Sequence, residues 1–200
     1  MLSCMSDAKT LSRSPELMSP ADTVLVVVDV QEKLVPMIAG SKRLLWNLRR
    51  LLDGAEAVGL KTLATEQYPQ GLGPTVPELA ERLGTIPSKA TFSCGGCQPF
   101  ASKLIELGAS KVMVSGIEAH VCVQQTVLDL LANGYRVYVP VDAVGSRYPI
   151  DYETGLKRME SAGATLTTTE SALFEWCQVS GTPVFKKISN LVREKPPEGP

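Results

Sequence analysis

The segment Thr23–Val28 constrains the fold of this chain more than any other. Its sequence is Thr-Val-Leu-Val-Val-Val, with no alternation between apolar and polar positions. A strand with one solvated face alternates, whereas a parallel strand buried on both faces is apolar throughout. The segment therefore predicts a central strand of a parallel sheet that is covered by helices on both sides.

The stretches between such runs have helical spacing. In Arg43–Val58, apolar side chains recur at i, i+3, i+4 and i+7, and Gly59 follows as a helix-ending residue. The alternation of strand and helix patterns continues along the chain and predicts a three-layer α/β/α fold, a doubly wound, Rossmann-like arrangement around a mainly parallel six-stranded sheet. The predicted strands are Thr23–Val28, Lys61–Thr65, Ser88–Ala90, Lys111–Ser115, Arg136–Val139 and Ala164–Thr167.

The same patterns predict one folded domain with two flanking segments. Residues 1–20 are rich in Ser, Met and Pro and predict an N-terminal arm that is mobile or loosely docked. Residues 21–180 carry the repeated strand and helix patterns and form the predicted domain. Residues 181–200 predict a C-terminal helix and a Pro-rich tail.

Composition excludes several classes of partner. Lys and Arg total 20 against 21 for Asp and Glu, a net charge of −1, which provides no basic surface for nucleic acid or an anionic membrane. The longest apolar run, Val24–Val28, is far shorter than a membrane span. Five cysteines without a zinc-binding pattern predict free thiols in the cytoplasm, although an organelle presequence stays open. The single histidine, His120, argues against a two-histidine metal site, so no metal is predicted.

Two charged residues lie where strands are predicted to end. Asp29 follows the first strand directly, and Lys89 lies at the end of the weak third strand. Ligands of doubly wound folds bind beyond the carboxyl ends of the strands. Each residue also has an ordinary structural interpretation, Asp29 as a turn-capping side chain and Lys89 as a solvated lysine.

The segment from Ser115 to Cys122 predicts a nucleophile. A buried strand leads through Gly116 into a helix whose first turn contains Cys122, where the helix dipole is expected to lower the pKa of the thiol. The alternative is a small buried apolar residue. His120 lies only two residues away, so its side chain points in another direction, and we expect it to be structural or to line the substrate pocket. If histidine is not the general base, Asp29 fits that role.

A second pair of thiols suggests redox chemistry. Cys94-Gly-Gly-Cys97 has the C-x-x-C spacing, but the following helix is predicted to start too late for a thioredoxin-like site. Two incidental thiols in a flexible loop are the preferred interpretation, and a redox role ranks third among the functions considered.

Together, Val26–Gln31, Ser88–Phe92 and Gly116–Val123 resemble the isochorismatase-like cysteine hydrolase family, in particular its isochorismatase-domain-containing subgroup. The resemblance extends from about Asp22 to Glu170. It implies a catalytic triad of Asp29, Lys89 and Cys122.

The resemblance also implies details of the site. It places a cis peptide at Ile117–Glu118 and an oxyanion hole at the backbone N–H groups of Glu118 and Cys122. The nicotinamidases of this family carry a histidine-containing metal site that this chain does not reproduce, so neither a metal nor another cofactor is expected. The possible substrate pocket is lined by Gln31, Tyr68, Phe92 and His120.

These observations predict a hydrolase of a small C–N amide or related acyl compound that acts through a thioester acyl-enzyme. The alternative is a catalytically silent binding or scaffold protein. A small-molecule substrate is the expected partner, with neither nucleic acid nor membrane. The apolar residues after Glu170 form stripes at helical spacing, and family members are commonly oligomeric. We therefore expect a homo-oligomer in which this C-terminal segment contacts a neighbouring chain. The alternative is that the stripes cover one edge of the chain's own sheet.

Overall fold

A computed structural model describes residues 11–197. It is a three-layer α/β/α protein whose central sheet is parallel, which confirms the predicted fold class. Within these residues the strands are β1 (Thr23–Val28), β2 (Lys61–Gln67), β3 (Ser88–Lys89), β4 (Lys111–Ile117), β5 (Arg136–Pro140), β6 (Val144–Gly145) and β7 (Thr165–Thr167). The α-helices are α1 (Ser41–Val58), α2 (Pro69–Leu72), α3 (Pro77–Ala80), α4 (Gln98–Leu107), α5 (Gln124–Ala132), α6 (Pro149–Ser161), α7 (Thr169–Cys177) and α8 (Pro183–Val192).

The strand order places a switch point between β1 and β4. The order is β3-β2-β1-β4-β5-β7, and the short strand β6 pairs with β4 beyond the end of β5. The strands that follow β1 in the sequence are added on one side of it, toward β3, and the strands that follow β4 are added on the other side, toward β7. This change of direction leaves a crevice at the carboxyl ends of β1 and β4. The sequence predicts the six strands of the main path but misses β6.

Each side chain of β1 is buried, as its unbroken apolar pattern predicts. Leu25 and Val27 face the layer that contains α1, α7 and α8, while Val24, Val26 and Val28 face the layer of α4, α5 and α6. Since alternate residues of a strand point to opposite faces, only a strand with two covered faces buries all of them. Among the described residues, the helices include none that is both long and apolar enough to cross a membrane.

The two central strands approach very closely at Gly116. This residue has φ +107°, and a Cβ atom there would lie 2.2 Å from the carbonyl oxygen of Val28. Glycine alone meets both demands, because it tolerates positive φ and has no side chain to collide with β1. The close approach sets the carboxyl end of β4 directly beside the end of β1.

Part of the predicted N-terminal arm is docked on the domain. Met18 is fully buried in the core, and its N–H donates to a carboxylate oxygen of Glu175 at 2.8 Å. The guanidinium of Arg136 donates to the carbonyl of Pro15 at 2.7 Å. Residues 13–18 thus contact the sheet and α7, while residues 1–10 of the predicted arm lie outside the described residues.

The C-terminal helices α7 and α8 dock on α1 of the same chain with part of their apolar stripes, while Phe174 of α7 is 41% exposed. Trp176 and Ile188 are buried at 1% and 0% exposure. Gly54 of α1 leaves the space for this docking, because a Cβ there would lie 2.1 Å from the side chain of Leu173. Arg50, itself buried, donates to the carbonyl of Leu191 in α8 at 3.0 Å. Residues 198–200 of the predicted tail lie outside the described residues.

Candidate active site

Asp29 lies at the carboxyl end of β1 with its carboxylate inside the protein. Its backbone has φ 53°, a conformation that aspartate adopts more readily than most residues with side chains. Its N–H donates to the carbonyl of Thr65 at 3.1 Å, which holds this turn against β2. The side chain is completely buried, so its charge requires partners within the fold.

Lys89 supplies the main partner. Its Nζ lies 2.7 Å from Oδ2 of Asp29, and the side chains of both residues are completely buried. The same ammonium donates to Oε1 of Gln67 and to the carbonyl of Phe92, each at 2.8 Å. Because a buried ion pair is stable only when its remaining hydrogen-bonding capacity is used, these contacts explain how the pair persists away from water.

Cys122 lies in a tight turn between β4 and α5. The Ile117–Glu118 peptide bond is cis, and Ala119–Val123 forms one π-helical turn before α5 begins at Gln124. This turn replaces the start of the regular helix that the sequence predicts at Val121. Cys122 is 7% exposed, and its carbonyl accepts a hydrogen bond from the hydroxyl of Thr126 at 2.7 Å.

The thiol of Cys122 is protonated in the resting site. Burial, together with the negative charge of Asp29, raises its pKa to about 12, and Lys89 opposes this effect. The expectation from the sequence, that the helix start lowers the pKa, is wrong for the free protein. The helix terminus is a modest influence at the first turn, whereas removing a thiolate from water is costly. Thiolate chemistry at neutral pH therefore requires transfer of the proton to a nearby base.

The backbone N–H of Glu118 lies beside the nucleophile turn and outside the helices and strands. Among residues 11–197, it donates to no backbone or side-chain acceptor. By contrast, the N–H groups of Val121 and Val123 both donate to the carbonyl of Glu118. Unpaired N–H groups at such a turn are suited to bind a negatively charged oxygen.

His120 belongs to a polar cluster beside the turn. Its Nδ1 is 3.0 Å from the hydroxyl of Ser146, and its Nε2 lies 3.6 Å from Glu118 and 3.8 Å from Asp151. Arg147 donates to the carboxylate of Glu118 at 2.7 Å. These contacts lead from the turn to β6 and α6 rather than to Cys122, so the geometry favours a structural role for His120.

Of the other predicted pocket residues, Gln31 does not face a pocket. Its side chain is completely buried, and its amide donates to the carbonyls of Gln67 and Gly73 and accepts from the N–H of Gln67. Gln31 thus holds the loop after β2, a role that follows from contacts more than 30 residues away. Tyr68 and Phe92 are 60% and 53% exposed and lie in the loops that follow β2 and β3.

Sequence reasoning misses three residues around the buried pair: Gln67, Thr65 and Cys94. The hydroxyl of Thr65 donates to Oδ1 of Asp29 at 2.9 Å, and Sγ of Cys94 lies 3.3 Å from that hydroxyl. Both Cys94 and Cys97 are buried, which corrects the prediction of thiols in a flexible loop. Thr65 and Gln67 could have been suggested by their place at the end of β2, but no local signal marks Cys94.

The fold and this site define an α/β protein with a thiol and a buried carboxylate–ammonium pair at the switch point of its sheet. Within the described residues, no group of three or more His, Cys, Asp or Glu side chains is arranged to hold a metal ion. Residues 23–171 match the isochorismatase domain, and the chain belongs to the isochorismatase family, whose members are generally hydrolases.

Comparison with known proteins supports this assignment. Isochorismatase domain-containing protein 2A of Mus musculus is 38% identical over 182 residues, which cover 90% of this chain and 86% of that protein. The solved structure of the MAR1 ribonuclease from Caenorhabditis elegans is 40% identical, with a TM-score of 0.84 and coverage of 90% and 94%. The ycaC gene product of Escherichia coli, an octameric hydrolase of unknown specificity, is 23% identical with a TM-score of 0.84 and coverage of 90% and 91%, a likeness of fold.

Proposed function

We propose that the protein is a cysteine hydrolase that cleaves a small C–N amide or related acyl compound. The observation that carries this proposal is the Asp29–Lys89 pair, with 2.7 Å between Nζ and Oδ2, buried at the strand ends beside the protonated thiol of Cys122. A fully buried carboxylate is an available base for a thiol that does not ionise by itself at neutral pH.

In the proposed reaction, Asp29 accepts the thiol proton as Sγ of Cys122 bonds to the substrate carbonyl carbon. The carbonyl oxygen becomes an oxyanion and accepts hydrogen bonds from the backbone N–H groups of Glu118 and Cys122. Collapse breaks the C–N bond, and the proton on Asp29 passes to the departing amine. Asp29 then deprotonates water, which attacks the thioester; the acid leaves and the thiol proton returns to Cys122. Lys89 remains protonated and keeps the carboxylate in place.

A panel of small primary amides tests the proposal through release of ammonia. The expected result is turnover of at least one compound, and a mass increase on Cys122 when the reaction is stopped early. Cys122→Ala is expected to reduce turnover by about a thousandfold or more, as when a covalent nucleophile is removed. Cys177→Ala is the matched control, because Cys177 lies in α7 on the covering layer. Turnover that survives in Cys122→Ala would refute a thioester route.

The same panel addresses the scaffold alternative. A silent binding protein would bind an amide or its acid without forming an adduct on Cys122 or releasing ammonia. Isothermal titration of the compounds against the Cys122→Ala variant, which leaves the pocket in place, separates binding from turnover.

Hydrolysis of RNA is a second candidate, favoured by the name of the C. elegans structure. A net charge of −1 and a nucleophile that is 7% exposed favour a small substrate instead. Incubation with single-stranded RNA decides between them. Cleavage that disappears in the Cys122→Ala variant would support the ribonuclease, and cleavage that persists in it would point to a contaminating enzyme.

We further propose that the protein works as a homo-oligomer in the cytoplasm, with residues 21–180 as its catalytic domain. The octameric state reported for the E. coli protein supports the first part. The free thiols of Cys94, Cys97, Cys122 and Cys177 support a reducing compartment.

A further inference from the structure

The carboxylate of Asp29 is held by two donors on different oxygens. Lys89 donates to Oδ2 at 2.7 Å, and the hydroxyl of Thr65 donates to Oδ1 at 2.9 Å. A carboxylate held at one oxygen can still rotate about its Cβ–Cγ bond, whereas donors on both oxygens fix its plane. Thr65 is 1% exposed, so water does not readily replace its hydroxyl.

The single hydrogen of the Thr65 hydroxyl determines the direction of the hydrogen bond between Thr65 and Cys94. The hydroxyl of Thr65 has one hydrogen, which it donates to Asp29, so at 3.3 Å the thiol of Cys94 must be the donor and Thr65 the acceptor. Burial raises the pKa of Cys94 to about 11, so the thiol retains the proton that this arrangement needs. A chain of donors therefore runs from Cys94 through Thr65 to Asp29.

Cys94 is also bound to the nucleophile turn. Its backbone N–H donates to the hydroxyl of Thr126 at 2.9 Å, and that hydroxyl donates to the carbonyl of Cys122 at 2.7 Å. Cys94 thus connects, through one threonine on each side, to the proposed base and to the backbone of the proposed nucleophile. Cys94 is completely buried in the turn Cys94–Gly96, and its side chain contacts Thr65 while its backbone N–H contacts Thr126.

We propose that Thr65 and Cys94 are positioning residues that orient and stabilise the ionised carboxylate of Asp29 toward Cys122. This inference rests on the proposed function, in which Asp29 receives the thiol proton. The titratable or charged groups that face Asp29 are Lys89 from β3, Cys94 from the turn Cys94–Gly96 and Cys122 from the π-helical turn. Substitution of Thr65 leaves all three in place, so its effect isolates the hydroxyl.

The test measures the rate at which iodoacetamide labels Cys122 as a function of pH, with each cysteine peptide resolved by mass spectrometry. In the wild-type protein, we expect transfer of the thiol proton to Asp29 to give a plateau of labelling near neutral pH, with a fall in rate on the acid side. Thr65→Val removes the donor at nearly constant volume, and we expect the acid-side midpoint to rise by about one pH unit, the effect of one lost hydrogen bond to a charged group.

Two rescue variants separate positioning from general packing. Thr65→Ser keeps the hydroxyl and is expected to keep the wild-type midpoint. Cys94→Ala removes the terminal donor and is expected to raise the midpoint by less than Thr65→Val does, while Cys94→Ser, which retains a donor, restores it. A purely structural role would lower the urea midpoint of unfolding in these variants without moving the pH profile.

The Asp29→Asn variant distinguishes failure of the positioning role from failure of the proposed function. If it abolishes the acid-side limb while Thr65→Val and Cys94→Ala leave the midpoint unchanged, the positioning role is overturned and the proposed base stands. If Asp29→Asn retains the wild-type limb, Asp29 is not the base, and the proposed function and the positioning role both fail. A shift in Thr65→Val that Thr65→Ser does not rescue also overturns the positioning role.

Discussion

Cys122 stands at the beginning of a helix, where partial positive charge favours a thiolate, and yet its thiol is protonated at neutral pH. A helix terminus contributes about 0.3–1 kcal/mol to a neighbouring charge, whereas each pKa unit corresponds to about 1.4 kcal/mol. A pKa raised to about 12, with burial as its first cause, therefore outweighs the dipole. Reactivity at this residue depends on the base beside it.

Replacing that base changes the pH dependence of Cys122 in a defined direction. In Asp29→Asn, we expect the neutral plateau of iodoacetamide labelling to disappear, because no carboxylate accepts the proton. The alkaline rise is expected to move to lower pH, since the negative charge that raises the pKa of Cys122 is gone and Lys89 still lowers it.

Asp53→Asn is the control for this change, because Asp53 lies on α1 and pairs with Arg49 and Arg82, away from the site. Its labelling profile should match the wild type. Labelling of Asp29→Asn at the wild-type rate near pH 7 would contradict the assigned role of the carboxylate.

Gly116 allows β4 to approach β1 closely at the site. Alanine substitutions of Gly116 and Gly163, two glycines with nearly equal φ, test the importance of this close approach. We expect Gly116→Ala to lower the free energy of unfolding by more than about 3 kcal/mol, because strain at positive φ is joined by a backbone collision. Gly163 has φ +110° but nothing within 4 Å of the added Cβ, so Gly163→Ala should cost only about 1–2 kcal/mol. Urea unfolding measures both, and equal losses would show that the collision relaxes freely.

At the scale of secondary structure elements, the docking of α8 on α1 completes one of the two covering layers. Ile188 of α8 is completely buried against this layer, near Gly54. We expect Ile188→Ala to lower the free energy of unfolding by about 2–4 kcal/mol through lost burial and a cavity. Ile105 of α4 is 71% exposed, so Ile105→Ala should change stability by less than about 0.5 kcal/mol.

Chemical denaturation of both isoleucine variants provides the measurement, with circular dichroism as the probe. A loss of stability in Ile188→Ala no larger than that in Ile105→Ala would mean that α8 is detached in solution. The salt bridge of Arg49 with Glu194 and the bond from Arg50 to Leu191 are further links between α1 and the C-terminal segment.

At the scale of the whole molecule, the proposed homo-oligomer requires an interface between chains. Exposed apolar side chains are available for an interface in the C-terminal segment, at Phe174, and in the loops after β2 and β3, at Tyr68 and Phe92. We expect multi-angle light scattering of the full chain to give a mass of two or more times 21.5 kDa. A mass of one chain at micromolar concentration would contradict the homo-oligomer.

The periodicity of the sequence was sufficient to predict the layers of this protein. An unbroken apolar run predicts a strand with two covered faces, helical spacing predicts the crossovers, and the positions of Asp29 and Lys89 at predicted strand ends place both at one edge of the sheet. These are local patterns, and the covalent geometry of strands and helices converts them directly into faces and ends.

Only the tertiary structure decided the electrostatics and the supporting contacts of the site. Four properties of the site depend on residues that are about 30 to 90 positions apart in the sequence. They are the raised pKa of Cys122, the contacts by which Gln31 holds a loop, the hydrogen bond from Thr65 to Asp29 and the burial of Cys94. Such contacts arise from packing between elements, which no period in the sequence encodes, and burial then sets the cost of each charge. The same residue types at the same spacing would have a different chemistry if the sheet left them in water.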